Sequence, residues 1–192
     1  MKTNKETKKS ANTEDRRIRK TKKVLKQALT DLILEKGYDE VSVQDVIDRA
    51  DVGRTSFYSH FRSKEDLLLQ NLDDLENMFF PEKNEEKISQ DDFSLKMFEH
   101  LQENWRLARL LLGNKKIPVV RNYVQNLLMK YYKTSYSEKY KDTLSEFEIE
   151  GAAVLASGAL VSLTLWWFAM KKPVSPREMH RLFLQNIRLD PR

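Results

Sequence analysis

Cysteine is absent from the sequence, which excludes a disulfide framework and any metal site built on thiolates. Histidine is nearly as scarce, because the three residues are His60, His100 and His180, and none has metal-ligand spacing. No glycine-rich phosphate loop, GxSxG nucleophile turn or pair of catalytic carboxylates stands out. We therefore expect no catalytic residues, no metal and no cofactor, and a protein that is not an enzyme.

Glycine and proline are also scarce, with five of each among 192 residues, and long segments contain neither. Apolar side chains recur at three- and four-residue intervals through most of these segments. The chain is long enough for a substantial core, arranged as one large domain or two smaller ones. The sequence therefore predicts an all-α fold with about nine helices in total.

Positive charge is concentrated in one third of the chain. Residues 1–64 carry a net charge of +6, whereas residues 65–192 carry a net charge of −1. Residues 1–14 are almost purely polar, so we expect them to form a flexible basic arm. They do not resemble a signal peptide, because no apolar segment follows their lysines. A basic module on a near-neutral body indicates that this module binds a polyanion. The alternative for the arm is that its lysines only keep the protein soluble.

Residues 43–64 predict two short helices joined by a tight turn, with a third helix beginning just after them. The first helix is capped by Ser42 and has one apolar face. The second begins at Arg54, buries Phe57 and Phe61, and exposes a polar and cationic face. This arrangement is typical of a helix-turn-helix that places its second helix in the DNA major groove.

The segment ADVGRTSFYSHF, followed by SKEDLL, resembles the DNA-binding motif of the TetR family of bacterial transcription regulators. The resemblance covers residues 19–69 and includes EKGYDEVSVQDV, which is similar to the family's glycine-aromatic turn and second helix. The sequence departs from the family at Asp51, Gly53 and Thr55, where the family usually has glycine, serine and a small residue. These departures affect the stability of the turn and the operator sequence more than the mode of binding.

The resemblance implies that the second helix reads base edges and that Tyr58 and Lys64 match residues that contact phosphates. Arg54 suits a bidentate contact with guanine, and Gln44 suits one with adenine. The partner expected is double-stranded DNA. The predicted DNA-binding residues are Ser42, Gln44, Arg54, Thr55, Ser56, Tyr58, Ser59, His60 and Lys64.

The expected domain order is a flexible arm at 1–14, a helix-turn-helix domain at 15–63, a connecting helix at 64–80, and a regulatory and dimerisation domain at 81–192. Pro81 ends the connecting helix, and a charged loop follows over 81–90. We expect one long helix from about Asp91 to Leu112 and another from Pro118 to about Tyr136, with a polar loop after it.

Gly151 to Met170 forms 20 residues without a charge, long enough for a membrane span. A membrane-anchored protein is therefore the alternative from another class. Ser157 and Ser162 dilute the hydrophobicity, and Ser145 with Glu148 makes a capping box suited to a soluble helix. We favour a buried helix that a second subunit covers, and a protein in the cytoplasm rather than the membrane.

This helix and the last one resemble the C-terminal dimerisation helices of a TetR subgroup, which carry glycines and alanines, a tryptophan and then a serine-proline helix start. The resemblance implies a homodimer with a four-helix interface, which presents two recognition helices to a pseudo-palindromic operator. The predicted interface residues are Gly151, Ala152, Leu155, Gly158, Ala159, Ser162, Trp166, Met179, Leu182 and Phe183.

Members of the family respond to a small molecule bound within the C-terminal helices. The expected function is a dimeric repressor that a small hydrophobic or aromatic effector releases from DNA. The alternatives are a body that binds a protein co-regulator or nothing, and a non-specific nucleoid protein. The residues predicted to line an effector cavity, for which ordinary core packing is the alternative, are Met97, Leu101, Trp105, Tyr123, Leu127 and Trp166.

Overall fold

The structure is a computed structural model that describes residues 3–79 and 90–187, with the side chains of residues 16–72 and 92–187. Nine α-helices and one 3₁₀ turn, Tyr38–Glu40, occur in these ranges, and they contain no strand, so the predicted all-α fold is confirmed. The helices are α1 Thr3–Lys36, α2 Val43–Ala50, α3 Arg54–Tyr58, α4 Lys64–Phe79, α5 Gln90–Glu103, α6 Trp105–Leu112, α7 Pro118–Tyr140, α8 Glu146–Ala169 and α9 Pro176–Ile187.

The chain divides into two compact units, Met1–Asp73 and Asp74–Arg192. The division falls inside α4, the helix that the sequence predicts as a connector. Pro81 and nearly all of the predicted loop at 81–90 lie outside the described residues.

The first unit has an apolar core formed by α1, α2, α3 and the start of α4. Its α1 begins at Thr3 and not near Asp15, so the expected flexible arm is helical from Thr3 onward. Residues 3–14 contain no glycine or proline to interrupt the helix, which explains the difference. The core side chains, each at most 7% exposed, are Leu25, Ala28, Leu29, Leu32, Ile33, Val41, Val46, Ile47, Phe57, Phe61, Leu67, Leu68 and Leu72.

The second unit packs α8 against α7 and α9, and α9 also packs against α5. Ser145 and Glu148 form the predicted capping box at the start of α8. Ser175 and Glu178 form the same pair of hydrogen bonds at the start of α9, where the Ser175 hydroxyl lies 2.7 Å from Glu178 Oε2.

The helix predicted from Asp91 to Leu112 is two helices in the structure. Asn104 separates α5 from α6 with a non-helical backbone, φ −106° and ψ 27°. Its side-chain amide donates to the His100 carbonyl oxygen over 3.0 Å, and this local hydrogen bond competes with the helical pattern. Helix α7 continues to Tyr140, beyond the predicted end at Tyr136, and its helical spacing brings the rings of these two tyrosines to a centroid distance of 6.0 Å.

Helix α8 is the one helix, among those whose residues are described, that is long and apolar enough to cross a membrane. Ten of its residues, including Ser157 and Thr164, are buried within the unit. Ser157 and Thr164 each donate over 2.8 Å to the carbonyl oxygen four residues earlier. The helix is therefore the central core element of the second unit, with its inner face already covered by α7 and α9.

Candidate nucleic-acid interface

Helices α2 and α3 form a helix-turn-helix whose turn depends on one residue. Asp51 adopts the left-handed conformation, φ 52° and ψ 51°, which aspartate tolerates better than most residues. Its N–H donates to Asp48 O, and Val52 N–H donates to Ile47 O, so the end of α2 is capped by the turn. Gly53 then begins α3 without a side-chain cap.

Helix α3 has only five residues, too few to be stable without tertiary contacts. Phe57 is fully buried and Phe61 is 1% exposed, with ring centroids 5.8 Å apart. These two rings fix the rotation of α3, so that Arg54, Thr55 and the residues after Phe57 face outward. The predicted exposure of this face is therefore found in the structure.

Arg54 and Tyr58 occupy the centre of the exposed face. Their spacing of four residues places the guanidinium carbon 5.9 Å from the centroid of the Tyr58 ring, which is 49% exposed. Tyr58 in turn packs edge-on against the buried Phe57, with centroids 5.2 Å apart. The core thus positions the tyrosine, and the tyrosine limits the range of orientations open to Arg54.

The other predicted contacts on α3 differ in how far they are exposed. Thr55 and Ser59 are exposed, whereas Ser56 and His60 are half-buried. Ser59 donates its hydroxyl to the Ser56 carbonyl oxygen over 2.8 Å, so this hydroxyl has a partner within the helix. The structure brings all four residues to one short segment next to Arg54.

The two predicted contacts on α2 already have partners within the protein. Ser42 donates its hydroxyl to Asp45 over 2.6 Å as part of a capping box, so its first role is to begin α2. Gln44 donates its side-chain amide to Asp48 Oδ1 over 2.7 Å. Asp48 is a residue that the sequence analysis missed, although a glutamine and an aspartate four apart on a helix are expected to pair.

Lys64 lies at the start of α4 and is tied into the fold. Its ammonium donates to Tyr38 O over 2.8 Å and to Val41 O over 2.5 Å, and lies 4.1 Å from the centroid of the Tyr38 ring. Burial lowers the pKa of Lys64 and raises the pKa of Tyr38 to about 12. Two of the three ammonium hydrogens have protein acceptors, so at most one remains for the predicted phosphate contact.

Ion pairs between α1 and α2 flank the helix-turn-helix. Arg49 donates to both carboxylate oxygens of Glu35, over 2.8 and 2.7 Å. Lys36 lies 3.0 Å from Asp45. Hydrogen bonds from Ser42 and then from Lys36 hold the pKa of Asp45 well below its usual range. These contacts are solvent-accessible, so they orient the two helices more than they stabilise them.

Helix α1 presents a run of cations to solvent ahead of the core. Arg16, Arg17, Arg19, Lys20 and Lys23 are all exposed. These residues lie at least 13 positions after the start of α1 at Thr3, too far for the helix dipole to act on them. A phosphate backbone is the natural partner for such a surface.

The outer face of α8 carries an exposed apolar stripe in the second unit. Its exposed fractions are 87% for Phe147, 68% for Leu155, 53% for Trp166 and 47% for Val154. Gly151 and Ser162 are also exposed, and Gly158 and Ala159 are half-buried. Most of the predicted interface residues thus share one face of α8, which we call the α8 stripe.

Three predicted interface residues do not belong to this face. Ala152 is 6% exposed, Met179 is fully buried and Phe183 is 2% exposed, because they pack into the core of their own unit. Their burial leaves them little surface for a partner contact. On α9, Leu182 is half-buried, beside the two inward residues.

The predicted effector residues are only partly brought together. Leu101 is 7% exposed, and Met97, Trp105, Tyr123 and Leu127 are half-buried. Trp166 points outward on the α8 stripe, apart from the other five residues. Its neighbour Trp167 is turned into the unit.

Trp167 is the tryptophan that lies inside the second unit, where it is fully buried. Its ring meets Trp105 edge-on at 4.9 Å and Phe98 edge-on at 5.5 Å, and its indole N–H donates to Val174 O over 2.9 Å. Helical periodicity predicts that Trp167 points inward only after it is known which other residues of α8 face the core.

Two family models match the chain and together span both units. One is described as bacterial regulatory proteins of the tetR family and matches residues 25–70. The other is described as a transcriptional regulator C-terminal region and matches residues 89–189.

Similar proteins agree with these matches. An uncharacterized HTH-type transcriptional regulator of Bacillus subtilis, YxbF, is 34% identical over 55 residues, a match that spans 14% of that protein and 28% of this chain. A TetR transcriptional regulator from Streptococcus agalactiae superposes with a TM-score of 0.72 at 26% identity, covering 92% of this chain and 98% of the other. The dihydroxyacetone kinase operon activator DhaS superposes with a TM-score of 0.67 at 17% identity, covering 87% and 93%.

Proposed function

Because the chain belongs to the TetR family of bacterial transcription regulators, and is therefore a DNA-binding regulator and not an enzyme, we propose a specific mode of action for it. It acts in the cytoplasm as a homodimeric repressor that occupies a pseudo-palindromic operator and leaves it when a small-molecule effector binds. The observation that carries the proposal is the exposed polar face of α3, held by two buried phenylalanines and centred on Arg54.

Specific readout of DNA is assigned to a few side chains of α2 and α3. Arg54 donates two parallel hydrogen bonds to a guanine, because its guanidinium is exposed and partly ordered by Tyr58. Gln44 reads an adenine with its amide oriented by Asp48. Thr55 and Ser59 are the other candidates for base edges. The phosphate contacts come from Ser42, Tyr58, His60 and Lys64, and they set affinity but carry no sequence information.

Dimerisation is assigned to the α8 stripe. Four large apolar side chains between 47% and 87% exposed on one helix face form a surface that a partner subunit would cover. Gly151 and Gly158 lie on the same face, where a helix-internal glycine weakens the helix by about 0.5–1 kcal/mol relative to alanine. Neither glycine is required by the packing of its own unit, since an added Cβ would meet no atom within 4 Å. We assign both glycines to the close approach of a second copy of α8, which a side chain at either position would hinder.

An effector site is assigned to the aromatic interior between α5, α7 and α9. Phe93 stacks on Tyr131 with centroids 3.8 Å apart, and Tyr132 packs between Phe93 and Phe183. The Tyr132 hydroxyl is buried without a hydrogen-bond partner among the described residues, which costs about 1–3 kcal/mol. A bound effector with an acceptor atom would satisfy this hydroxyl and shift the equilibrium toward the form that binds it.

The test begins with selection of bound duplexes from a random pool by the purified full-length chain at physiological salt. We expect an inverted repeat with a fixed half-site spacing. Arg54→Ala should weaken operator binding by about 1–3 kcal/mol and relax specificity at one base position. Arg62→Ala is the matched control, because it removes the same charge from an exposed arginine just beyond α3.

The control variant should lose affinity for the operator and for random DNA equally. An equal loss on both duplexes for Arg54→Ala would remove this residue from base readout. Enrichment of no sequence above bulk binding would favour a non-specific nucleoid protein instead.

A second candidate keeps the DNA-binding unit and changes the partner of the second unit. The fold is shared with DhaS, which is named as an operon activator, so a common fold is compatible with either sign of regulation. An activator, or a regulator that binds a protein co-regulator, would keep the same operator. Transcription from an operator-bearing promoter, measured with and without the protein, distinguishes repression from activation.

A further inference from the structure

The second unit contains a long stretch of chain without a single acidic residue. Residues 104–137 include seven lysines and arginines and no aspartate or glutamate, although residues 65–192 as a whole carry a net charge of −1. The stretch covers α6, the following turn and most of α7. On α7, Lys133 pairs with Glu146 and Glu150, and Arg121 donates inward to Leu112 O. Most of the exposed positive charge of the stretch therefore lies on α6 and the turn after it, where it attracts anions.

A groove lies on this stretch along α6 and the turn after it, with a volume of about 420 Å³. That volume lies within the range of pockets that hold small organic ligands, about 300–1,000 Å³. We call it the α6 groove, and its lining residues are Trp105, Arg106, Arg109, Leu110, Gly113 and Asn114.

Arg109 is the cation best placed to hold a ligand in the groove. Its side chain is exposed, and it forms no ion pair or hydrogen bond with any residue whose side chain the structure describes. A guanidinium presents parallel N–H groups that match both oxygens of a carboxylate or phosphate. Arg106 lies on the same groove wall and adds a second positive charge.

Trp105 supplies an apolar wall beside these cations. The tryptophan is half-buried, and its ring is braced edge-on by Trp167 and Phe168, each with centroids 4.9 Å away. A braced, partly exposed indole favours a flat partner, since aromatic rings stack or pack edge-on at such distances. Leu110 extends the apolar surface of the groove.

We propose that the α6 groove binds a small organic anion in which a planar apolar group carries a carboxylate or a phosphate. The planar group lies against Trp105 and Leu110, and the anionic group is held by Arg109 with Arg106. Trp105 packs against Trp167 of α8, so the wall of the groove contacts the helix assigned to dimerisation.

The test uses the full-length chain, benzoate as the probe and no DNA, so its failure leaves the proposed operator binding untouched. Benzamide serves as the neutral analogue of nearly the same shape, and inorganic phosphate as an anion without a ring. Trp105 lines the groove and Trp167 packs against it, so the intrinsic fluorescence of these two tryptophans reports binding, over a constant background from Trp166 on the α8 stripe. Isothermal titration calorimetry gives the number of sites per chain.

We expect saturable binding of benzoate at one site per chain, and binding of benzamide and phosphate weaker by about tenfold or more. Arg109→Gln should weaken benzoate binding by about tenfold or more, because it removes a charge-assisted hydrogen bond. Lys116→Gln is the matched control, an exposed cation in the same acid-free stretch but outside the groove, and should change affinity by less than about twofold.

Both substituted side chains are exposed, so neither variant is expected to unfold. The proposal is overturned if benzoate gives no saturable signal, if benzamide or phosphate binds as tightly as benzoate, or if the two variants behave alike.

Discussion

Replacing Gly151 and Gly158 together by alanine separates the stability of one protomer from the stability of the dimer. Within a single chain, an added Cβ at either position meets no atom within 4 Å. Alanine is favoured over glycine inside a helix by about 0.5–1 kcal/mol, so the protomer should gain about 1–2 kcal/mol from the two changes. The double variant should therefore unfold at a higher urea concentration when it is measured as a monomer.

The dimer should respond in the opposite direction. A two-fold axis repeats each substitution, so four methyl groups enter an interface in which two copies of α8 approach closely. Excess methyl groups in a packed site cost about 1–3 kcal/mol. A net loss of about 3 kcal/mol would raise the dimer dissociation constant about a hundredfold.

Sedimentation velocity over a range of concentrations measures dissociation, and urea unfolding at the lowest concentration measures protomer stability. Asn126→Ala is the matched control, because Asn126 is exposed on α7, away from the α8 stripe, and gains similar helix propensity. It should leave the dissociation constant unchanged. If the glycine variant is more stable and equally dimeric, the two glycines do not lie at the interface, and the assignment of the α8 stripe is refuted.

Two further predictions concern the first unit. Because hydrogen bonds from Ser42 and Lys36 hold the pKa of Asp45 low, its contribution to stability is present at neutral pH and is lost as pH falls below about 4. Between pH 6 and pH 3, the melting temperature should therefore fall more steeply for the unsubstituted chain than for Asp45→Asn. Parallel curves of melting temperature against pH would contradict this. Asp48→Ala frees the Gln44 amide, so the variant should discriminate less between bases at the operator position assigned to Gln44. Its affinity for random DNA should stay within about twofold of the original. An unchanged preference for the operator would exclude an orienting role for Asp48.

Much of the first unit is predictable from the sequence because its signals are local. The Ser42 capping box, the buried Phe57 and Phe61 and the start of α3 at Arg54 each depend on residues within four positions of one another. Such short-range patterns determine helix boundaries and inward faces without knowledge of the rest of the fold.

The second unit shows where this reasoning stops. The inward and outward faces of α8 cannot be told apart from its sequence, since apolar residues surround the helix, so the sequence does not show that Trp167 is buried and Trp166 exposed. Only packing against α7 and α9 distinguishes them, and the same packing places Ala152, Met179 and Phe183 in the core. The division of α5 from α6 at Asn104 was missed because the apolar pattern continues across this residue, whose backbone alone departs from the helix.

Helix α3 is too short to be stable without its packing on the rest of the first unit. DNA binding through α3 therefore depends on how often this part of the unit opens. Whenever Phe57 and Phe61 leave their core positions, Arg54 and Tyr58 lose their fixed geometry, and the base readout proposed for Arg54 would be lost with it. DNA that binds only the closed form protects it by mass action. Amide hydrogen exchange in α3 is thus thermodynamically linked to operator concentration, and occupancy of the operator depends on the free energy of this opening as well as on the contacts themselves.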